Sequence, residues 1–177
     1  MMKQTSPVVY TIGHSNRSIE TFIAMLQSFS VQMVVDVRRF PGSAKWPQFN
    51  QAELEASLAA KGMSYVHIAA LGGRRKPAKD SPNTAWRHPA FRAYADYMET
   101  QEFRDAVAKL EQLARETITV YMCSEAVWWS CHRSMISDYL KVKGWKVMHI
   151  MAEGKASEHP SRPPARVVNG ELTYREG

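Results

Sequence analysis

The sequence contains few cysteines and no long apolar run. Cys123 and Cys131 are its only two cysteines among 177 residues, which excludes a disulfide-rich scaffold. No stretch approaches the ~18 continuous apolar residues of a membrane-spanning helix, and the residues after Lys3 lack the apolar core of a secretory signal. The sequence therefore predicts a cytoplasmic protein that binds no membrane, with both thiols reduced.

Composition and charge are those of an ordinary globular protein with a basic bias. Apolar residues make up 45% of the chain and charged residues 23%, and the length suits one domain spanning residues 1–177. The net charge of +6 weakly favours acidic or phosphate-bearing partners. Residues 72–88 form either a solvated loop or a nucleic-acid-binding surface. Their charged side chains are Arg74, Arg75, Lys76, Lys79 and Arg87 against Asp80.

Strand-like and helix-like segments alternate along the chain. Short apolar, β-branched runs predict strands at 8–12, 31–37, 63–68, 118–123 and 146–151. Amphipathic helices are predicted after Ser18, Asn50 and Ser130, and over 89–116 with a break near Thr100. Asn50 and Glu53 have capping-box spacing. This order predicts an α/β fold, namely a single-domain, open, mainly parallel sheet flanked by helices on both faces.

The last segment differs in composition. Residues 153–177 are polar and Pro-rich, which predicts an irregular tail. Asn169 and Gly170 separate two strand-like runs, and this pair is typical of a tight primed turn. The sequence therefore predicts a C-terminal hairpin.

Polar and ionisable residues follow several predicted strands. Ligands of open parallel sheets bind beyond the carboxyl ends of the strands, so these residues define a candidate cleft. The candidate catalytic residues are Glu125, His14, Cys131 and Asp36. The candidate ligand-binding residues are Ser15, Asn16, Arg38, Gly72, Gly73, Arg74, Ser124, His132 and Arg133.

The two cysteines allow more than one interpretation. A helix capped by Ser130 would place Cys131 in its first turn, where the dipole and free N–H groups stabilise a thiolate. A buried, inert thiol fits the sequence equally well. A zinc site is not predicted, because there is no C-x2-C pair and adjacent Cys131 and His132 would point about 100° apart on a helix.

Charged residues near the strand ends suggest an anion site. The same helix start, with Arg133 as a bidentate fork, could hold phosphate or carboxylate. Glu125 is then a candidate acid, base or nucleophile, or else the ion-pair partner of Arg38. Asp36 and Arg38 lie two residues apart on a strand and could pair. His14 is either a proton partner or a structural histidine.

Several motifs together resemble a known family. They are IGHSN, VDVRRFPGS with a following F-N, Y-x-H-x-x-x-LGG, and M-CSE-x5-CHR followed by a helix and V-x-HI. From Tyr10 to Glu153 the chain resembles the bacterial and archaeal domain-of-unknown-function family 488. The resemblance implies a single α/β domain and no established activity. The signature residues are Gly13, His14, Ser15, Asn16, Asp36, Arg38, Pro41, Ser43, Leu71, Gly72, Gly73, Cys123, Glu125, Cys131, His132 and Arg133.

These observations lead to one main hypothesis and two alternatives. The main hypothesis is an enzyme that acts on a phosphate-bearing ligand, a nucleotide or nucleic acid, at the strand-end cleft. One alternative is a non-catalytic nucleic-acid-binding module that uses Arg74, Arg75 and Lys76 with nearby aromatic side chains. The other is a thiol- or metal-based sensor at Cys123 and Cys131. The sequence assigns no cofactor and no oligomeric state.

Overall fold

The structure is a computed structural model that describes residues 6–42, 44–73, 75–76 and 78–176. Within these residues the strands are β1 (Val8–Gly13), β2 (Met33–Asp36), β3 (Ser64–His67), β4 (Thr119–Cys123), β5 (Lys146–Ala152), β6 (Lys155–Glu158), β7 (Arg166–Val168) and β8 (Glu171–Thr173). The α-helices are α1 (Ile19–Gln27), α2 (Gln51–Ala59), α3 (Pro89–Tyr97), α4 (Gln101–Glu116) and α5 (Arg133–Val142). No helix among the described residues is long and apolar enough to cross a membrane.

The strands form a six-stranded sheet in the order β3-β2-β4-β1-β5-β6. The first five strands in this order run parallel, and β6 pairs antiparallel with β5 at the edge. Strands β7 and β8 form a separate antiparallel hairpin. The predicted fold class is confirmed. Because Gly13 pairs with Cys123 and Asp36 with Met122, the carboxyl ends of β1, β4 and β2 lie side by side.

Helices cover both faces of the sheet, and β4 shows how the faces are separated. Val120 and Met122 pack with α1 and α2, whereas Tyr121 and Cys123 pack with α3, α4 and α5. All four side chains are at most 1% exposed. A strand buried on both sides needs apolar residues at every position, and each large side chain so buried contributes about 1.5–3 kcal/mol.

Side-chain caps define two of the predicted helix starts. The Ser18 hydroxyl accepts from the Thr21 N–H at the start of α1, and the Thr100 hydroxyl accepts from the Phe103 N–H at the start of α4. The second cap confirms the predicted break near Thr100. Asn50 precedes α2 with extended backbone, but its side chain makes no capping hydrogen bond.

The start of α5 differs from the prediction. Residues Trp128–Ser130 form a short 3-10 turn, and Cys131 has extended backbone with φ −144°. Helix α5 begins at Arg133, with His132 at the N-cap position. The prediction that Ser130 caps this helix and that Cys131 lies in its first turn is wrong. The physical reason is tertiary, because the Trp128 ring stacks on His149 at 4.7 Å and holds the preceding segment outside the helix.

The C-terminal segment is more ordered than the sequence suggests. Asn169 and Gly170 both have positive φ, 54° and 79°, as a primed hairpin turn requires, so the predicted hairpin is confirmed. Strand β6 was not predicted. It is short, polar and mostly exposed, and an edge strand of this kind lacks the apolar alternation that marks a strand in a sequence.

The close approach of two strand ends generates a stability prediction at Gly13. A Cβ atom on Gly13 would lie 1.6 Å from the carbonyl oxygen of Glu125, a backbone atom that cannot move aside cheaply. We expect Gly13→Ala to destabilise the fold by about 3 kcal/mol or more, measured as a lower urea midpoint. Gly42→Ala is the control, because the nearest atom to its added Cβ lies 3.9 Å away. Equal midpoints for the two variants would contradict the packing described here.

Candidate functional site

A cleft of about 700 Å³ opens at the carboxyl ends of β1, β2 and β4. Most of the predicted site residues line it, together with the thiol of Cys123. They are His14, Ser15, Asn16, Arg38, Gly73, Ser124, Glu125, Cys131 and His132. The topology explains this gathering, since β4 lies between β2 and β1 and the three loops that follow these strands share one edge.

A second wall of the cleft was missing from the predicted site. It consists of Arg39, Phe40, Trp46, Phe91 and Tyr94. Phe91 and Tyr94 belong to α3, and a prediction that selects residues at the ends of strands cannot find residues of a helix. The Tyr94 hydroxyl donates to the carbonyl of Leu71 at 2.7 Å, so α3 is fixed to the loop after β3. The sequence contained signals for two residues of this wall, because Arg39 follows a predicted strand beside Arg38 and Trp46 follows Lys45 in a loop.

Asp36 and Arg38 form a buried bidentate ion pair beneath the cleft. Nε and Nη2 of Arg38 donate to the two carboxylate oxygens of Asp36 at 2.9 and 2.7 Å. The backbone N–H of Arg38 and the hydroxyl of Tyr65 also donate to this carboxylate. Asp36 is fully buried and does not line the cleft. The expected catalytic role for Asp36 does not fit this geometry, which gives it the role of orienting Arg38.

His14 connects to the same ion pair. A carbonyl can only accept, so Nδ1–H of His14 donates to the Ser15 carbonyl at 2.9 Å. The Nε2 atom then accepts from Nη1 of Arg38 at 3.3 Å. Burial lowers the pKa of His14 to about 4, and the Arg38 charge contributes to this lowering. His14 is therefore neutral at physiological pH, with both ring nitrogens engaged, which disfavours its predicted role as a proton partner.

Arg133 does not face the cleft as an anion-binding fork. It is 1% exposed. Its Nη2 donates to the carbonyls of Glu125 and Ala126 at 2.9 and 3.4 Å, and Nη1 donates to Thr11 Oγ1 at 2.9 Å. In this geometry Arg133 does not make the predicted contact with an anionic ligand. Instead the guanidinium fixes the loop that carries Glu125.

Gly72, a predicted ligand-binding residue, is buried and does not line the cleft. A Cβ atom at this position would lie 2.5 Å from the backbone N of Arg39, so the missing side chain of Gly72 permits close packing of two loops. Arg74, a predicted ligand-binding residue, and Ser43, a signature residue, lie outside the described residues.

The two thiols and His132 form a directional set of contacts. His132 Nε2–H donates to the Val37 carbonyl at 3.0 Å, so Nδ1 is free to accept from Cys131, whose Sγ lies 3.3 Å away. Hydrogen bonding from Cys123 lowers the pKa of Cys131, as do the backbone N–H and the charge of Arg133, while burial opposes them. Burial raises the pKa of Cys123 well above its usual range. Cys131 is therefore the more acidic thiol.

Glu125 presents an exposed carboxylate at the mouth of the cleft. Among the described side chains no ion pair joins it to Arg38, whose guanidinium binds Asp36 instead. The ion-pair interpretation of Glu125 is therefore not supported. A solvated carboxylate next to a buried thiol can accept or release a proton during a reaction.

Metal ligands do not converge in the described part of the chain, where no three His, Cys, Asp or Glu side chains are close enough to hold an ion. Both cysteines are free thiols. The polar groups of the cleft thus include the thiols of Cys123 and Cys131, the Glu125 carboxylate, the imidazoles of His14 and His132, the Asn16 amide, hydroxyls and the Arg38 and Arg39 side chains.

The fold and cleft define a single α/β domain with a thiol-containing pocket at the carboxyl edge of its sheet. The chain belongs to the family described as domain of unknown function DUF488, whose model matches residues 18–140. The family named from sequence motifs is thereby confirmed. No curated protein and no solved structure matches the chain.

The contacts of Cys131 predict unequal thiol reactivity. Near neutral pH we expect iodoacetamide to alkylate Cys131 at least about tenfold faster than Cys123, because one pKa unit changes the thiolate fraction about tenfold. Peptide mass spectrometry at successive times measures both rates in one sample.

Two substitutions test the cause. Cys123→Ala removes the hydrogen-bond donor and should slow alkylation of Cys131, whereas Cys123→Ser retains a donor and should preserve the rate. Alkylation of Cys131 no faster than that of Cys123 in the wild type would leave Cys131 as a packing residue.

Proposed function

We propose that this protein is an enzyme that acts on a phosphate-bearing ligand, a nucleotide or nucleic acid, in the strand-end cleft. The observation that carries the proposal is the placement of an acidified thiol, an exposed carboxylate and an oriented guanidinium in one cleft of about 700 Å³. Pockets of this volume are typical for small-molecule ligands.

Cys131 is the proposed nucleophile. Three features support this role, namely its position on the cleft wall, its lowered pKa and its contact with the unprotonated Nδ1 of His132. His132 Nδ1 would accept the thiol proton of Cys131 as the sulfur attacks the electrophilic atom of the ligand, and His132 would pass this proton to the leaving group as it departs. The Glu125 carboxylate would then accept a proton from a water molecule that displaces the sulfur, and would return this proton to the thiolate.

Arg38 is the proposed binding residue for the phosphate. A guanidinium has five N–H donors, and three of them bind Asp36 and His14. The remaining two belong to Nη1 and Nη2 and lie on a side chain that lines the cleft. Ser15, Asn16 and Ser124 add further hydrogen-bonding groups to the same wall. Asp36 fixes the orientation of the Arg38 guanidinium, so this side chain loses little conformational entropy when a ligand binds.

Calorimetric titration with a nucleoside monophosphate and with inorganic phosphate tests this assignment. Arg38→Lys retains the positive charge beside Asp36 but loses the planar fork. We expect about tenfold weaker binding, the loss of roughly one charge-assisted hydrogen bond. Lys109→Ala is the control, because this exposed side chain on α4 lies outside the cleft. Equal affinity of the wild type and Arg38→Lys, or no binding by the wild type, would overturn the assignment.

Exposed basic and aromatic side chains favour a second candidate, a non-catalytic nucleic-acid-binding module. Lys76, Lys79 and Arg87 are exposed, and Phe40 and Trp129 are 62% and 49% exposed. Exposed aromatic faces can stack bases, and the Arg39 guanidinium lies 5.5 Å from the centre of the Phe40 ring. Arg75 contributes less than the sequence suggested, because its guanidinium lies 3.8 Å from the centre of the Tyr97 ring and donates to the Gly72 carbonyl.

The salt dependence of nucleic-acid binding distinguishes the module from the enzyme. If these three cations neutralise phosphates, a triple alanine variant at Lys76, Lys79 and Arg87 should flatten the log–log salt slope by up to about 2.7 units. A control variant with alanine at Lys61, Lys109 and Lys155, all exposed, removes equal charge elsewhere. The same slope in both variants would reject this surface as the nucleic-acid-binding site.

A further inference from the structure

A buried chain of hydrogen bonds leads from the cleft loop to the C-terminal hairpin. Its members are Arg133, Thr11, His149, His159, Asp138 and Tyr174. The successive contacts are 2.9 Å from Arg133 to Thr11, 2.6 Å to His149, 2.8 Å to His159 and 2.6 Å to Asp138. Tyr174 donates to the other oxygen of Asp138 at 2.6 Å. These side chains come from β1, β5, α5 and the segments after β6 and β8.

The two ends of the chain fix its direction. Asp138, as a carboxylate, only accepts, so His159 donates to it from Nε2. A His159 ring that carries this single proton accepts at Nδ1. His149 must then donate from Nε2 to His159 and accept at Nδ1 from the Thr11 hydroxyl. Thr11 in turn accepts from Arg133, which only donates. Every donor therefore points from the cation toward the carboxylate.

The surrounding side chains shield this chain of hydrogen bonds from solvent. His149 and His159 are 0% and 2% exposed. Trp128 stacks parallel on His149 and contacts the His159 ring edge-on, and the Arg162 guanidinium lies 4.9 Å from the centre of the Trp128 ring. Burial lowers the pKa of His149 to about 2, and a positive charge on His159 or Arg133 adds to this effect. A low dielectric makes a broken contact in such a network costly.

We propose that Thr11, His149, His159, Asp138 and Tyr174 act as positioning residues that hold Arg133, and through it the Glu125–Ala126 carbonyls, in the geometry of the cleft. The proposal goes beyond the proposed function by giving the C-terminal hairpin a role in the site. It rests on that function only for the importance of Glu125 and Cys131. Histidine protonation and thiol alkylation test it, so it can fail independently of ligand binding.

Nitrogen-15 NMR of the histidine rings tests the direction of the chain. In the wild type we expect His149 to be neutral and protonated at Nε2, with a signal that does not titrate between about pH 5 and 8, because burial lowers its pKa to about 2. We expect His159 to be protonated at Nε2, where it donates to Asp138. In His159→Phe, His149 loses its acceptor, so its proton should move to Nδ1 and bond to Thr11. A wild-type His149 protonated at Nδ1 would overturn the proposal without any variant.

The rate of Cys131 alkylation tests the effect on the cleft. Thr11→Val removes the contact with Arg133, and we expect alkylation to slow roughly twofold to tenfold, which corresponds to a thiol pKa higher by up to about one unit. Thr11→Ser retains the hydroxyl and should restore the wild-type rate, and His159→Phe should slow the reaction as Thr11→Val does.

Tyr97→Phe separates positioning from a general loss of stability. It removes a 2.6 Å hydrogen bond to the Ala70 carbonyl, and neither residue belongs to the chain or lines the cleft, so it should lower stability without slowing alkylation. Unchanged rates in both Thr11→Val and His159→Phe, or equal slowing in Tyr97→Phe, would contradict the proposal. If Thr11→Val does not fold, His159→Phe and the wild-type spectrum still decide it.

Discussion

The rest of the structure depends on the hydrogen bonds of the buried Arg133 guanidinium, which link the cleft loop to the chain that leads to the C-terminal hairpin. Removing a charge from water costs several kcal/mol unless hydrogen bonds replace the lost hydration. Here the replacements are two carbonyls of the cleft loop and the hydroxyl of Thr11. Among the described residues, the compensating carboxylate on this network is Asp138, which is reached through Thr11 and two histidines. The position of the cleft loop is therefore coupled to side chains far from it in sequence.

A second buried charge, Arg38, is neutralised directly by Asp36. This pairing decides what the cleft can do. With Asp36 saturated by donors and His14 neutral, the groups left to exchange protons with a ligand are Cys131, His132 and Glu125. The pocket thus combines an oriented but charge-compensated guanidinium with one acidified thiol, and the proposed function rests on these two groups.

The sequence predicted those features that depend on local pattern. Apolar runs located the five parallel strands, and the strand-end rule then gathered His14, Arg38, Cys123 and Glu125 into one cleft. The sequence did not predict the features that depend on long-range packing. The Trp128 ring stacks on His149 and keeps Cys131 outside the helix. Two carbonyls and the Thr11 hydroxyl accept from Arg133 and hold its side chain away from the cleft. No sequence pattern could join His159 to Asp138 or predict the role of α3.

The matched family segment, residues 18–140, includes β2, β3 and β4 but neither β1 nor β5. Yet β1 lies inside the sheet between β4 and β5, and Gly13 at its end touches the Glu125 carbonyl that Arg133 holds. Thr11, His149 and Tyr174 also lie outside the matched segment. A sheet without β1 would expose the edge of β4 and remove the first acceptor of the Arg133 chain. The physical unit that builds the cleft is therefore longer than the matched segment, and it extends to the C-terminal hairpin.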